Sequence, residues 1–202
     1  MTLPNKLTLF RIILIPAMVI VAYIPVLNDG SVMIGQMTLA NFINVIIFIV
    51  ASSTDFLDGY IARKYNLVTT FGKFADPLAD KLLVISAMVV LCTQIQQYAP
   101  QYSWFIPGWV IIVILCREFI VSGIRLVAVE RGNVIAAGLM GKIKTFTTMV
   151  ALIVLFFYQI EFNQVPVFGY IGAGLMYVAL LFTILSGAEY FWKNRKVILE
   201  SI

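Results

Sequence analysis

The chain of 202 residues is 61% hydrophobic and only 12% charged, carries a net charge of +4 and contains no histidine. That apolar share exceeds the roughly 45–50% of soluble globular domains, so a water-soluble core is excluded, and the lack of imidazole removes the commonest general base and zinc ligand. Cys92 and Cys116 each stand alone in an apolar run, which argues against a disulfide framework or a metal knuckle.

In chain order, the first predicted helix covers 5–27. Lys6 and Arg11 precede an apolar run in the manner of a signal peptide, but no small-residue cleavage pattern follows, so the run reads as a retained first span. The second helix, 33–64, is uncharged up to Thr54 and then carries Asp55, Asp58, Arg63 and Lys64. The third, 72–98, opens with Gly72, Lys73, Asp76, Asp80 and Lys81 and has only the 13 uncharged residues Leu82 to Gln94. A helix needs about 20 apolar residues to cross the hydrocarbon core, so these acidic turns are expected at membrane depth, against a polar cavity. The fourth helix, 104–130, bears Arg117, Glu118, Ser122 and Arg125; the fifth, 137–159, opens with Lys142 and Lys144; the sixth covers 166–193. Turn-forming or polar breaks separate them. The expectation is an all-α polytopic membrane protein, a single domain over 1–202 with six transmembrane helices. Trp104, Trp109, Trp192, Tyr98 and Tyr102 read as interfacial belt residues. Gly169, Gly172 and Gly174 read as close-packing positions between helices.

Lys and Arg mark cytoplasmic loops. All 14 can be assigned to one side, whereas the intervening loops 28–32, 94–104 and 159–166 contain none. Both termini are therefore expected in the cytoplasm, with a polar metal-binding cavity on that side.

At 100° per residue, Asp55, Asp58, Gly59, Ala62 and Arg63 share one arc of the second helix, and Gly72, Asp76 and Asp80 one stripe of the third. A short connection brings these stripes together. Four carboxylates at membrane depth need neutralising cations. An oxygen-only donor set favours Mg²⁺ or Mn²⁺ over zinc, and two such ions suit phosphoryl chemistry on a pyrophosphate. Gly59 and Ala62 leave room on the metal-facing arc for a nucleotide-sized ligand.

The run Asp55-Phe-Leu-Asp58-Gly59-Tyr-Ile-Ala62-Arg63 followed by Gly72-Lys-Phe-Ala-Asp76-Pro-Leu-Ala-Asp80 resembles the CDP-alcohol phosphotransferase signature D-x-x-D-G-x-x-A-R-(x)8-G-x-x-x-D-x-x-x-D at every defined position. Three further stretches are similar to bacterial phosphatidylglycerophosphate synthases within that family. They are Pro4-Asn5-Lys6-Leu7-Thr8-Leu-Phe-Arg11, Arg117-Glu118-Phe-Ile-Val-Ser122-Gly-Ile-Arg125 and Gly141-Lys142-Ile-Lys144-Thr145. The resemblance implies transfer of a phosphatidyl group from CDP-diacylglycerol to glycerol 3-phosphate with release of CMP, in the bacterial inner membrane, by a homodimer with no nucleic-acid partner. It further implies that Asp55, Asp58 and Asp76 ligate metal. Asp80 is expected to ligate the second ion and to act as the base, and Asp58, Gly59, Ala62, Arg63 and Gly72 to form the CDP site.

For the acceptor phosphate, inward basic and hydroxyl groups are the candidates: Thr8, Arg11, Arg117, Ser122, Arg125, Lys142 and Lys144. Competing readings are a related transferase using inositol phosphate, serine or a cardiolipin-forming acceptor, and a cation-coupled transporter, for which intramembrane carboxylates are also characteristic.

Overall fold

A computed structural model describes residues 3–28, 30, 32–65, 69–130, 138–161 and 164–195; within them, the side chains at positions 3, 4, 55–63, 70, 71, 73, 127, 129 and 130 are left undescribed. The elements in order are α1 (Leu3–Tyr23), α2 (Pro25–Asn28), β1 (Met33–Ile34), β2 (Met37–Thr38), α3 (Leu39–Lys64), α4 (Thr70–Tyr98), a 3₁₀ segment (Pro100–Phe105), α5 (Gly108–Glu130), α6 (Leu139–Phe156) and α7 (Val167–Lys193). Five stretches are long and apolar enough to cross a membrane: Asn5–Tyr23, Phe74–Tyr98, Pro100–Leu126, Leu139–Phe156 and Val167–Lys193. A sixth, Leu39–Thr54 at the start of α3, is shorter. The chain is an all-α polytopic membrane protein, as its composition required.

The apolar part of α3 rises about 24 Å at 1.5 Å per residue, less than the roughly 30 Å of a hydrocarbon core. The helix runs on without a break through Asp55 and Asp58 to Lys64. The second predicted helix therefore differs from the other five, because its apolar part alone is shorter than the hydrocarbon core and its polar end extends the same helix.

The fourth predicted helix begins at Gly108 rather than 104, after the 3₁₀ segment, and the fifth ends at Phe156 rather than 159; two further boundaries differ for identifiable reasons. The second long helix begins at Leu39, not at 33, because Met33↔Thr38 and Ile34↔Met37 pair as a two-residue hairpin around Gly35 at φ +63. The Gln159 side chain holds this turn, its Oε1 accepting from the Thr38 amide (2.9 Å), the Thr38 hydroxyl (3.1 Å) and Asn41 Nδ2 (3.0 Å). The first helix ends at Tyr23 rather than 27. Pro25 has no amide hydrogen to continue the ladder, and Asn28 Nδ2 donates to the carbonyls of Ala22 (2.8 Å) and Ile24 (3.0 Å), while Gln94 Nε2 holds Asn28 Oδ1 at 2.9 Å.

The helices pack α6 on α7, and α1 on both α3 and α4; α5 lies against α7. Phe48, Phe105, Phe156, Met18, Leu91 and Leu152 are fully enclosed, whereas Ile13, Ile20, Ile112, Phe119 and Leu126 are largely exposed, as expected where the outer solvent is hydrocarbon. Gly169 and Gly172 serve close approach: a Cβ at Gly169 would fall 2.2 Å from the Phe105 ring, and at Gly172 2.7 Å from Leu155 Cγ, whereas Gly174 faces open space. Trp104 packs on Phe105 and Tyr170 at centroid distances of 4.7 and 5.6 Å while remaining partly exposed.

Candidate active site

The acidic stripe begins at the start of α4. Thr69 caps the helix, its hydroxyl accepting the Gly72 amide at 3.0 Å and donating to Asn5 Oδ1 of α1 at 2.7 Å. One side chain thus satisfies an otherwise orphaned helix donor and ties α4 to α1. One turn further on, Thr8 of α1, fully buried, donates its hydroxyl to Asp76 Oδ1 at 2.5 Å. Gly72 leaves space beside this pair. An added Cβ would lie 3.2 Å from Thr69 Oγ1, 3.4 Å from Asn5 Oδ1 and 3.5 Å from Asp76 Oδ2. Asp76 and Asp80, four residues apart on a continuous helix, share one face.

Asp55, Asp58, Gly59, Ala62 and Arg63 stand on the last turns of α3, whose backbone is helical through all five; their side chains lie outside the described residues. Among the described residues no cluster of three carboxylate, histidine or cysteine side chains occurs. The described part of the predicted constellation is Gly72, Asp76 and Asp80.

Asp80 also lines a cavity of about 710 Å³ bounded by α3 to α7, together with Lys81, Arg117, Glu118, Ser122, Arg125 and Lys142. Of the seven acceptor candidates, Arg117, Ser122, Arg125 and Lys142 are on its wall; Thr8, Arg11 and Lys144 are not. Thr8 holds Asp76 instead. Arg11, completely buried, donates Nε to the Ala51 carbonyl at 3.2 Å and so packs α1 on α3. Lys144 is buried, and its Nζ lies 2.9 Å from Glu118 Oε1. For Thr8 and Arg11 the reason is topological: α1 packs against α3 and α4, which carries these residues to the aspartate side of the bundle, whereas Lys144 of α6 is taken up by Glu118.

Within the cavity the charges are organised by α5. Glu118 Oε1 accepts from Arg117 Nη1 at 2.7 Å as well as from Lys144, and Arg117 Nη2 donates to Ser186 Oγ of α7 at 3.0 Å. Lys81 Nζ donates to Ser122 Oγ, which in turn donates to the Glu118 carbonyl at 2.6 Å. Arg125 stacks over the Tyr190 ring, 5.6 Å from its centroid. Sequence reasoning did not assign Asn5, Thr69, Lys81, Glu118, Ser186 or Tyr190 to the site. The available signal was polarity inside otherwise apolar helices, and for Glu118 its position on one face with Ser122 and Arg125.

A wall that combines the last carboxylate of the stripe, Asp80, with arginine and lysine donors suits the handling of an anionic group. The model of the CDP-alcohol phosphatidyltransferase family matches residues 1–185, and the chain belongs to that family. Among curated relatives, it is 45% identical over 194 residues to the CDP-diacylglycerol--glycerol-3-phosphate 3-phosphatidyltransferase of Bacillus subtilis (strain 168), covering 95% of this chain and 94% of that protein. Proteins of the same name from Rickettsia felis (36% over 195 residues, 96% of each chain) and Shigella flexneri serotype 5b (36% over 203 residues, 98% and 97%) are also similar.

Proposed function

We propose that the chain transfers the phosphatidyl group of CDP-diacylglycerol to glycerol 3-phosphate, forming phosphatidylglycerophosphate and CMP. The observation that carries this reading is the shared cavity, in which Asp80 of the signature stripe faces the same space as Arg125 and Lys142, donors suited to a phosphate. The full-length similarity to curated glycerol-3-phosphate phosphatidyltransferases supports it.

Asp55, Asp58, Asp76 and Asp80 would hold two Mg²⁺ or Mn²⁺ ions. The described donors fit hard cations: they are carboxylate oxygens, and Asp76 is oriented by the Thr8 hydroxyl on its Oδ1 while its Oδ2 borders the space that a Cβ at Gly72 would enter. When bound, such ions neutralise charge developing on the pyrophosphate. Asp58, Gly59, Ala62, Arg63 and Gly72 would receive the CDP moiety. Arg125 and Lys142 hold the acceptor phosphate; Asp80 takes the proton from the attacking hydroxyl; the oxygen attacks the phosphatidyl phosphorus; and the bond to CMP breaks. The confinement of Lys and Arg to one set of loops supports a site facing the cytoplasm, and the family resemblance a homodimer.

Acceptor screening of the purified protein with CDP-diacylglycerol and Mg²⁺ or Mn²⁺ tests the reading. CMP and lipid phosphate form when glycerol 3-phosphate is supplied. Turnover only with serine or inositol phosphate, or ion flux in proteoliposomes without CMP release, overturns it.

A further inference from the structure

We propose that Glu118 determines acceptor specificity by accepting a hydrogen bond from a free hydroxyl of the acceptor, one that is not the attacking group. This deepens the proposed function and rests on the reading of the cavity as the acceptor site.

Glu118 lies on the cavity wall, its side chain 18% exposed. Both of its cationic partners, Arg117 Nη1 and Lys144 Nζ, meet the same oxygen, Oε1. Among the described residues nothing donates to the other oxygen, Oε2. The carboxylate is also immobilised: Arg117 is held by Ser186 of α7, and Lys144 is buried in α6. Glu118 is thus clamped from two neighbouring helices while one oxygen remains available.

Arg117 and Lys144 offset the charge of Glu118, so the carboxylate is tolerated on the wall of an anion-binding cavity, and its second oxygen is left to accept from a ligand. An ionised carboxylate can only accept hydrogen bonds, so the complementary ligand group is a donor, a hydroxyl. Arg125 and Lys142 require an anion in the same space, and Asp80 requires a second hydroxyl to deprotonate. The ligand class that answers all three is a polyol phosphate with at least two hydroxyls. A site built to bond a hydroxyl discriminates strongly against an analogue that lacks it, because its polar group is then left unsatisfied.

The test compares glycerol 3-phosphate with 3-hydroxypropyl phosphate, which keeps the attacking hydroxyl and the phosphate but lacks the middle hydroxyl. The wild-type protein is expected to favour glycerol 3-phosphate about ten- to hundredfold in kcat/KM, the range for a hydrogen bond to a charged group. Replacing Glu118 alone strands a buried lysine, so the informative variant is the pair Glu118→Met with Lys144→Met. In it the preference collapses to within about threefold, while Lys144→Met alone retains it. Glu118→Asp, which keeps the charge but withdraws the oxygen, lowers the preference and provides a second measure should the paired variant fail to fold. A wild-type protein that does not discriminate, or a preference unchanged in the paired variant or in Glu118→Asp, overturns the assignment. CMP release with glycerol 3-phosphate tests the underlying reading separately. If only another polyol phosphate supports turnover, the ratio is taken with that acceptor and its deoxy analogue.

Discussion

The Thr8 hydroxyl donates to Asp76 Oδ1 across the α1–α4 contact at 2.5 Å, from a position fully enclosed by protein. A carboxylate held by a donor on a neighbouring helix has its rotamer set before any ligand arrives, which is how outer partners of metal ligands tune a site. The first helix is therefore part of the site's framework.

Thr8→Val keeps the shape of the side chain and removes the donor. The Mg²⁺ or Mn²⁺ concentration for half-maximal activity is expected to rise about 10–100-fold, the usual cost of losing such a partner, and Thr8→Ser to restore it. A metal titration of CMP release reads this directly. An unchanged half-saturation value removes Thr8 from the framework.

What could be read from residues alone followed helical geometry. The i, i+4 spacing of Asp76 and Asp80 is a property of one helix, as is the common face of Glu118, Ser122 and Arg125. What could not be read was which helix lies opposite. Thr8 and Arg11 turn inward, but α1 faces α3 and α4, so Thr8 meets Asp76 and Arg11 meets the Ala51 carbonyl. Lys144 has the right charge and helix, yet Glu118 takes it up. The hairpin at 33–38 was hidden because Met33, Ile34 and Met37 are as apolar as a helical span, with Gly35 as the one local sign of a turn.

Gly72→Ala separates structural from functional roles. Alanine in a helix is favoured over glycine by about 1 kcal/mol, and the new Cβ meets side-chain oxygens at 3.2–3.5 Å rather than backbone. Thermal stability is therefore expected to change little. Turnover falls, because the methyl group occupies the space between Thr69, Asn5 and Asp76. Parallel measurement of melting temperature and kcat distinguishes this from simple destabilisation, which lowers both.

Asp80→Asn keeps the size of the side chain and removes its basicity. General-base catalysis contributes about 10²–10⁴-fold, so kcat drops by at least two orders of magnitude while CDP-diacylglycerol binding, which Asp80 would also support as a metal ligand, is partly kept. Binding measured by calorimetry in nanodiscs alongside turnover checks both halves. A near-normal rate rejects Asp80 as the base.

Arg125 and Lys144, both candidates for the acceptor phosphate, separate in the fold. Arg125→Ala removes a cation from the cavity wall and raises the acceptor KM about tenfold or more, leaving the KM for CDP-diacylglycerol unchanged. Lys144→Met removes a buried partner of Glu118 that does not reach the cavity wall, so its main effect is on stability, about 1–3 kcal/mol. Steady-state kinetics varying each substrate, with melting curves, give the comparison. Equal effects on acceptor KM would show that the two lysine and arginine positions act alike.

Gly172 and Gly174 lie two residues apart on α7, and their substitutions are expected to act in opposite directions. A Cβ at Gly172 would stand 2.7 Å from Leu155 Cγ and 3.0 Å from the Leu155 backbone nitrogen. Leu155 is fully enclosed, and the backbone cannot yield as a flexible side-chain end would, so α6 and α7 must separate. Overpacking of this kind costs about 1–3 kcal/mol, and association in a bilayer depends heavily on such close backbone contact, since lipid supplies little hydrophobic drive. At Gly174 nothing lies within 4 Å, so alanine gains helix propensity at no steric cost. Gly172→Ala therefore lowers the melting temperature in detergent while Gly174→Ala does not, and a fall with Gly174→Ala as large as that with Gly172→Ala would mean that a second surface packs against that face.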